Sequence, residues 1–245
     1  MARRRFFVDW IREGRAEIEG ENAHHLTRVL RVQPGQSFEI SDGGQVWVAT
    51  VESAVKNRVC FVLTEWVETL PAAPPVSLYL ALIKFDSFEW AIEKATELGV
   101  SRIVPVETAR SDQGLFAGSA KRVERWRKIV REASEQSRRL AAPIVEDSVR
   151  FTKTLADGVG TRFWLEERPG ASPLLDLVKD AGEVSLFVGP EGGWTDAERA
   201  AMAEADWVPA ALGSLILRAE TAVCAGLAVI DAGRRRVSAH HLETK

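Results

Sequence analysis

The alternation of apolar and polar positions changes character near residue 70. Ahead of it the apolar runs are short: Phe6-Phe7-Val8, Ser37-Phe38-Glu39-Ile40, Val46 to Val51 and Val59-Cys60-Phe61-Val62-Leu63, with Asp42-Gly43-Gly44 between the second and third. β-Branched and aromatic runs of this length, punctuated by Gly and Asp, predict hairpin-linked strands and a small β-barrel-like module. His24 to Arg31 interrupts them as a short helix that Pro34-Gly35 stops. Leu70-Pro71-Ala72-Ala73-Pro74-Pro75 has fixed φ angles and few backbone donors, so it reads as a stiff linker. The boundary it marks predicts one domain over residues 1–70 and a second over 76–245.

Beyond the linker, strand-like runs alternate with stretches of helical period. Ser77 to Ile83 predicts a strand. Asp86 and Glu89 have the spacing of a capping box, Phe88, Ala91, Ile92, Ala95 and Leu98 share a helical face, and Gly99 supplies the stop. Strand character returns at Arg102 to Val106, Pro143-Ile144-Val145, Arg162 to Leu165, Val184 to Val188 and Trp207 to Leu212, while Thr195 with Glu198 caps a further helix. A helix from about Ser119 to Leu140 is predicted to bury Val123, Trp126, Val130, Ala133 and Ser137. Alternation of this kind, with right-handed crossovers, predicts an α/β fold built on a mostly parallel, helix-covered sheet. The stretch Thr221 to Ile230 is apolar nearly all round, which suits a core, a subunit interface or both.

Composition narrows the class. A chain of 245 residues with 46% hydrophobic and 27% charged residues can bury a sizeable globular core. Neither a long uninterrupted apolar run nor a signal-like start is present, so the expectation is a cytoplasmic protein that does not cross membranes. Cys60 and Cys224 are far apart and expected reduced and buried, and two adjacent His pairs have no metal-binding spacing, so no metal is expected. The net charge of -3 argues against a uniformly basic nucleic-acid binder. Its distribution points the other way: Arg3-Arg4-Arg5 opens the chain, and eight basic residues face Glu124, Glu132 and Glu135 between Lys121 and Arg139. Arg127, Arg131 and Arg138 are predicted along one edge of that helix, in a row suited to phosphates or a partner subunit; a solvated face is the alternative.

Two segments carry candidate chemistry. Gly189-Pro190-Glu191-Gly192-Gly193 follows the strand-like Val184 to Val188, at the sheet edge where open α/β sheets bind ligands. Gly192 and Gly193 can adopt positive φ and let a ligand touch bare backbone, while Pro190 donates no hydrogen bond. Lacking the Gly-Lys-Ser/Thr ending of a P-loop and the spacing of a dinucleotide fingerprint, the turn disfavours a phosphate cradle. The second segment is Leu212-Gly213-Ser214-Leu215-Ile216-Leu217-Arg218-Ala219-Glu220-Thr221. Taken alone, the first could be an ordinary strand-to-helix turn.

Together with Glu97-Leu98-Gly99-Val100 and Glu135-Gln136-Ser137-Arg138-Arg139, these motifs resemble the RsmE family, the 16S ribosomal RNA uracil-N3 methyltransferases of the SPOUT superfamily. Arg5-Phe6-Phe7-Val8 and His25 to Val32 are similar to that family's N-terminal domain. One departure is visible: after the Leu-Gly of the last loop the family commonly has Pro then Arg, where this chain has Ser214 and Leu215.

The resemblance implies a PUA-like N-terminal barrel and a SPOUT-type trefoil-knotted C-terminal domain. It implies that S-adenosyl-L-methionine is clasped by three loops: the strand end at Leu165-Glu166-Glu167, the turn of Gly189, Pro190, Glu191, Gly192 and Gly193, and the segment of Leu212, Gly213, Ile216, Leu217 and Arg218, with Thr221 following. It also implies 16S rRNA as substrate, within a small-subunit particle, and a homodimer. Arg3, Arg4, His25, Arg28, Arg31, Arg127, Arg131 and Arg138 are the expected RNA contacts. N3 of uracil bears a proton and is a poor nucleophile until it leaves, so a charge that stabilises the anionic ring is needed. Arg218 and Arg110 are the candidates, Arg110 also being readable as a surface-loop residue; neither Glu191 nor Glu220 can be assigned as the base. Remaining alternatives are a SPOUT methyltransferase acting elsewhere on RNA and a non-catalytic RNA-binding protein.

Overall fold

The computed structural model describes residues 4–69, 73–180 and 182–243, with side chains through Val237. They form two compact units. The first takes the described residues ahead of Ala73 together with Ser134–Ala142, and the second takes Ala73–Ala133 and the residues from Pro143 onward. The sequence pattern predicted a single cut at the linker and did not foresee the return of residues 134–142.

The first unit is a curled sheet. Strands β1 (Arg5–Phe7), β2 (Trp10–Arg12) and β3 (Arg15–Glu19) lead into helix α1 (Gly20–Arg28), followed by β4 (Ser37–Ser41), β5 (Val46–Val55) and β6 (Arg58–Trp66). The order is β1-β4-β5-β6-β3-β2, with only β1 and β4 parallel. Its two edges meet at residues 8 and 9: Val8 N–H donates to the Ser41 carbonyl at 2.9 Å and Asp9 N–H to the Glu17 carbonyl at 3.1 Å. Phe6, Ile18, Ile40, Val59 and Phe61 fill the inside. Helix α1 begins earlier than the apolar pattern indicated, because Gly20 N–H is taken by the Asn57 carbonyl as β3 runs straight into the helix.

Residues 134–142 belong to this unit through specific polar contacts. Glu39, buried on β4, accepts from Arg5 at 2.8 Å and from Arg138. Arg5 Nη1 also donates to the Arg138 carbonyl at 2.6 Å, Ser41 Oγ to the Leu140 carbonyl at 2.7 Å, and Phe7 N–H to Glu135 Oε1 at 3.3 Å. Two guanidinium groups thus compensate one buried carboxylate, whose isolated burial would be costly.

In the second unit, β7 (Val76–Ala81), α2 (Phe85–Glu97), β8 (Arg102–Glu107), α3 (Leu115–Ser119) and α4 (Val123–Gln136) come first. Then follow β9 (Ile144–Val145), β10 (Val149–Arg150), α5 (Phe151–Thr154), β11 (Thr161–Leu165), β12 (Ser172–Pro173), α6 (Leu174–Leu177), β13 (Val184–Val188), α7 (Asp196–Glu204), β14 (Val208–Ala211) and α8 (Ala219–Glu243). The strand order is β10-β8-β7-β13-β11-β14-β12, with β9 also on β8, and every pairing among them is parallel. Central strands β7 and β13 are buried at every position and mostly apolar, Ser77 and Ser185 excepted, because both faces are covered. Leu78, Leu80, Phe163 and Leu186 face one core with α2, α4 and α8; Tyr79, Trp164 and Phe187 face the other with Trp194, Met202 and Trp207.

Four local expectations are corrected. The Asp86–Glu89 capping box does not form: Lys84 occupies the cap position of α2, and Glu89 turns inward to Arg125 at 2.8 Å and Arg122 at 3.3 Å. Leu98 lies past the end of α2 and is exposed. Helix α4 ends at Gln136, and Arg138 sits beyond it at φ 58° with its guanidinium on Glu39, so Arg127, Arg131 and Arg138 do not form one helical row. The Thr195–Glu198 box does form, with Glu198 N–H on Thr195 Oγ1 at 3.2 Å and Thr195 N–H on Glu198 Oε2 at 2.9 Å. Cys60 and Cys224 are half-buried rather than buried.

Helix α8 returns from β14 to pack on α2 and α6. Near its end the buried Arg234 donates to the carbonyls of Pro74 at 2.9 Å, Pro75 at 3.1 Å and Gly182 at 2.5 Å.

Candidate functional site

The order β13-β11-β14 sets three strand ends side by side, and the loops leaving them enclose a cavity of about 270 Å³. The β11 end contributes Leu165, Glu166 and Glu167; the β13 end Val188, Gly189, Pro190, Glu191, Gly192, Gly193 and Trp194; the β14 end Leu212, Gly213, Leu215, Ile216 and Leu217, followed by Ala219 and Ala222 of α8. Ten of the residues expected at a cofactor site therefore line one space. Arg218 and Thr221 are outside that lining: Arg218 is exposed ahead of α8, its carbonyl accepting Ala222 N–H at 2.8 Å, and Thr221 is exposed on the first turn.

Steric detail explains the glycines. Gly193 has φ +67°, closing the turn with its N–H on the Pro190 carbonyl at 2.9 Å, and a Cβ there would stand 2.6 Å from Glu167 Oε1. At Gly189 a Cβ would meet the Trp194 ring at 2.8 Å. That ring is buried edge-on against Phe187, centroids 4.9 Å apart, and its Nε1–H reaches the Leu165 carbonyl at 2.9 Å, tying the β13 turn to the end of β11.

A single guanidinium organises the acidic wall. Arg199, on α7, donates to Glu166 Oε2 at 2.5 Å and Oε1 at 3.0 Å, to Glu167 Oε1 at 3.0 Å, and to the Trp194 carbonyl. Burial alone would raise the Glu166 pKa; the Arg199 hydrogen bonds, with the Arg168 N–H, outweigh it and hold the carboxyl below its ordinary value. Arg110 acts on the opposite side of the turn. Its Nη1 donates to the Gly192 carbonyl at 2.6 Å, and the neighbouring Ala109 N–H donates to Glu198 Oε1 at 2.8 Å.

Sequence reasoning missed Trp194, Arg199, Ala219 and Ala222. A usable signal existed for Arg199: the Thr195–Glu198 box fixes the first turn of α7, and the next residue can reach back over the turn it caps. No comparable signal marks the two alanines.

The expected RNA contacts distribute as follows. Arg3 lies outside the described residues. In the first unit the Arg4 guanidinium stands 5.5 Å from the Phe6 ring centroid, His25 is half-buried on α1, and Arg28 and Arg31 are exposed with no ion pair among the described residues. Arg138 is engaged with Glu39. In the second unit Arg127 pairs with Glu124 at 2.6 Å and Asp147 at 3.4 Å, and Arg131 is half-buried.

Comparison with known proteins adds independent information. Residues 71–231 match a family model described as an RNA methyltransferase domain, and residues 18–64 match an RNA methyltransferase PUA domain. The ribosomal RNA small subunit methyltransferase E of Bacillus subtilis (strain 168) is 33% identical over an alignment of 245 residues, spanning 93% of this chain and 95% of its own length. Its namesake from Synechocystis is 37% identical over 220 residues, 85% of this chain and 70% of its own. Among solved structures, a Neisseria gonorrhoeae ribosomal RNA small subunit methyltransferase E bound to S-adenosyl methionine superposes with a TM-score of 0.86 at 28% identity, over 95% of this chain and 98% of that one.

Proposed function

We propose, on the premise that the chain belongs to the RsmE family of RNA methyltransferases, that it transfers a methyl group from S-adenosyl-L-methionine to N3 of a uridine in the 16S RNA of the small ribosomal subunit. Its fold is the SPOUT-type α/β fold, trefoil-knotted toward the C-terminus, with a PUA-like N-terminal barrel. The observation that carries the reading is the convergence of the three loop ends on one cavity at the carboxyl edge of a parallel sheet.

The residues present suit this cofactor. Leu165, Leu212, Ile216 and Leu217 offer an apolar slot, the turn from Gly189 to Gly193 offers bare backbone, and the carboxylates of the wall suit a cation. When bound, the cofactor supplies an electrophilic methyl group on a sulfonium. The chain's own task is to position the base and lower the cost of removing its N3 proton. Arg218, exposed and with no ion pair among the described residues, is assigned the charge that stabilises the developing anion. Arg110 has one nitrogen committed to the Gly192 carbonyl, so it anchors the turn and leaves its other donors for the substrate.

RNA binding is assigned to the barrel, through Arg4, His25, Arg28 and Arg31, with Arg127 and Arg131 as additional phosphate contacts. A homodimer is supported by Leu215 and Ile216, 80% and 84% exposed at the cavity, an unusual setting for two adjacent aliphatic side chains. The reading places the protein in the cytoplasm, acting on a small-subunit particle.

The test is to incubate the protein and labelled cofactor with 16S RNA, free or in small subunits, from cells lacking this activity. Digestion and mass spectrometry should find 3-methyluridine. Methyl label on a ribose or another base would refute the assignment.

A further inference from the structure

The cavity is charged as well as shaped. Its ionisable lining side chains are Glu166, Glu167 and Glu191, with no Lys, Arg or His among them. Both oxygens of Glu166 are held by Arg199. Glu167 receives only one further donor from the same guanidinium, on Oε1, the oxygen that rests against Gly193. Its Oε2 has no partner among the described residues. Glu191 is exposed and likewise unpaired.

The surrounding positive charge is mostly committed. Arg199 spends its nitrogens on Glu166, Glu167 and the Trp194 carbonyl, and Arg110 gives Nη1 to the Gly192 carbonyl. Arg218 lies off the lining, and the α8 N-terminus at Ala219 contributes only its partial positive end. Arg199 thus compensates Glu166 and one oxygen of Glu167, and no cation among the described residues pairs with Glu191.

We infer that Glu167 and Glu191 make this cavity select its ligand by net charge, favouring the cationic sulfonium form of the cofactor over the neutral thioether left after methyl transfer. The inference rests on the cofactor assignment above. S-Adenosylmethionine carries a net +1 at neutral pH, from a sulfonium, an ammonium and a carboxylate. S-Adenosylhomocysteine, with a lone pair returned to sulfur, carries zero. A carboxylate several ångströms from that lost charge, in a half-open cleft, changes relative affinity roughly three- to tenfold. Product would then leave readily without any movement of the loops.

The experiment is calorimetric titration of S-adenosylmethionine, S-adenosylhomocysteine and sinefungin, an analogue with a protonatable amine in place of the sulfonium, into the parent, Glu167→Gln, Glu191→Gln and the double variant. Both carboxylates are accessible, and the amide is isosteric. The parent should bind the two cationic ligands more tightly than the thioether. The double variant should lose that preference by about tenfold or more, with thioether affinity little changed, and high salt should compress the parent's preference. A double variant with the parent's ratio, or one that weakens all three ligands equally, overturns the inference and leaves the cofactor assignment standing. Sinefungin behaving like the thioether in the parent also overturns it, since methyl shape would then decide. A parent that binds none of the three removes the cofactor assignment and this inference with it.

Discussion

Replacing Arg199 by Gln tests whether the wall of the cavity depends on one buried ion pair. The Arg199 and Glu166 side chains are 12% and 7% exposed, and removing one partner of such a pair typically costs about 3–5 kcal/mol. Glu166 can escape by taking up a proton. From an ordinary value of 4.5, protonation at pH 7 costs about 3.4 kcal/mol, which caps the penalty that the unpaired carboxylate imposes on the variant, to which the stabilisation lost from the parent adds. The expected destabilisation is therefore about 3 kcal/mol at pH 7, or roughly 6–12 °C in Tm for a chain of this size. Its pH dependence follows from the two directions of shift. In the parent the folded pKa is depressed, so the stabilisation from Glu166 is complete above 4.5 and disappears as pH falls through the lower folded value. In the variant, burial acts unopposed by Arg199 and raises the folded pKa, so the penalty is largest above that raised value and fades toward 4.5. The difference between the two proteins should shrink as pH falls from 7 toward 5, by at most about 1.4 kcal/mol per pH unit. Urea unfolding of both proteins at pH 8, 7, 6 and 5 measures it. A loss under 1 kcal/mol at pH 7, or a loss that does not change with pH, would refute the reasoning.

Other expectations concern function. Arg218→Ala should lower the single-turnover rate roughly 10²- to 10³-fold at saturating cofactor and RNA, with cofactor affinity within about threefold of the parent; a near-parent rate would move the stabilising charge elsewhere. Gly193→Ala forces a side chain into the left-handed region, at about 1–2 kcal/mol of stability, and displaces Glu167 from the cavity wall, so calorimetry should find cofactor binding roughly three- to tenfold weaker. Gly192→Ala meets only the flexible Arg110 side chain at 3.3 Å, and should bind within about twofold of the parent; equal effects at the two glycines would contradict this geometry. Arg28→Ala with Arg31→Ala should weaken RNA binding and flatten the logarithmic salt dependence by roughly 1.4 if both contact single-stranded phosphates, and an unchanged slope would place the RNA elsewhere.

The parts of the fold readable in advance were those where local pattern and tertiary context agree. Val184 to Val188 is apolar except for Ser185 and lies buried on both faces; Thr195 and Glu198 cap α7 as their spacing indicates. Asp86 and Glu89 have the same spacing, yet fail as a box, because Glu89 gains more from two Arg side chains of the 122–125 stretch than from an exposed backbone donor. Spacing cannot register a partner that far along the chain. The residues that line the cavity were legible where backbone shape matters, at Gly189 to Gly193, and where apolar side chains follow a strand, at Leu212 to Leu217. Arg199 and Trp194 were not, since their importance lies in contacts with Glu166 and Leu165, about thirty residues earlier. Arg138 shows the same limit from the other direction: helical spacing put it beside Arg131, but the helix ends first and Glu39 takes the side chain.

The carboxylate of Glu39 draws on cations 133 residues apart in sequence, Arg5 near the start and Arg138 past the end of α4. Genetic exchange that cuts at the proline-rich linker would thus move an incomplete module. Grafted onto a foreign enzyme, the leading segment would carry Glu39 with one counterion instead of two, Ser41 without the Leu140 carbonyl and Phe7 without the Glu135 carboxylate. A recipient would need its own equivalent of residues 134–142. Barrel and loop are consequently expected to be inherited together, and a lineage that lost one would be under pressure to discard or rebuild the other.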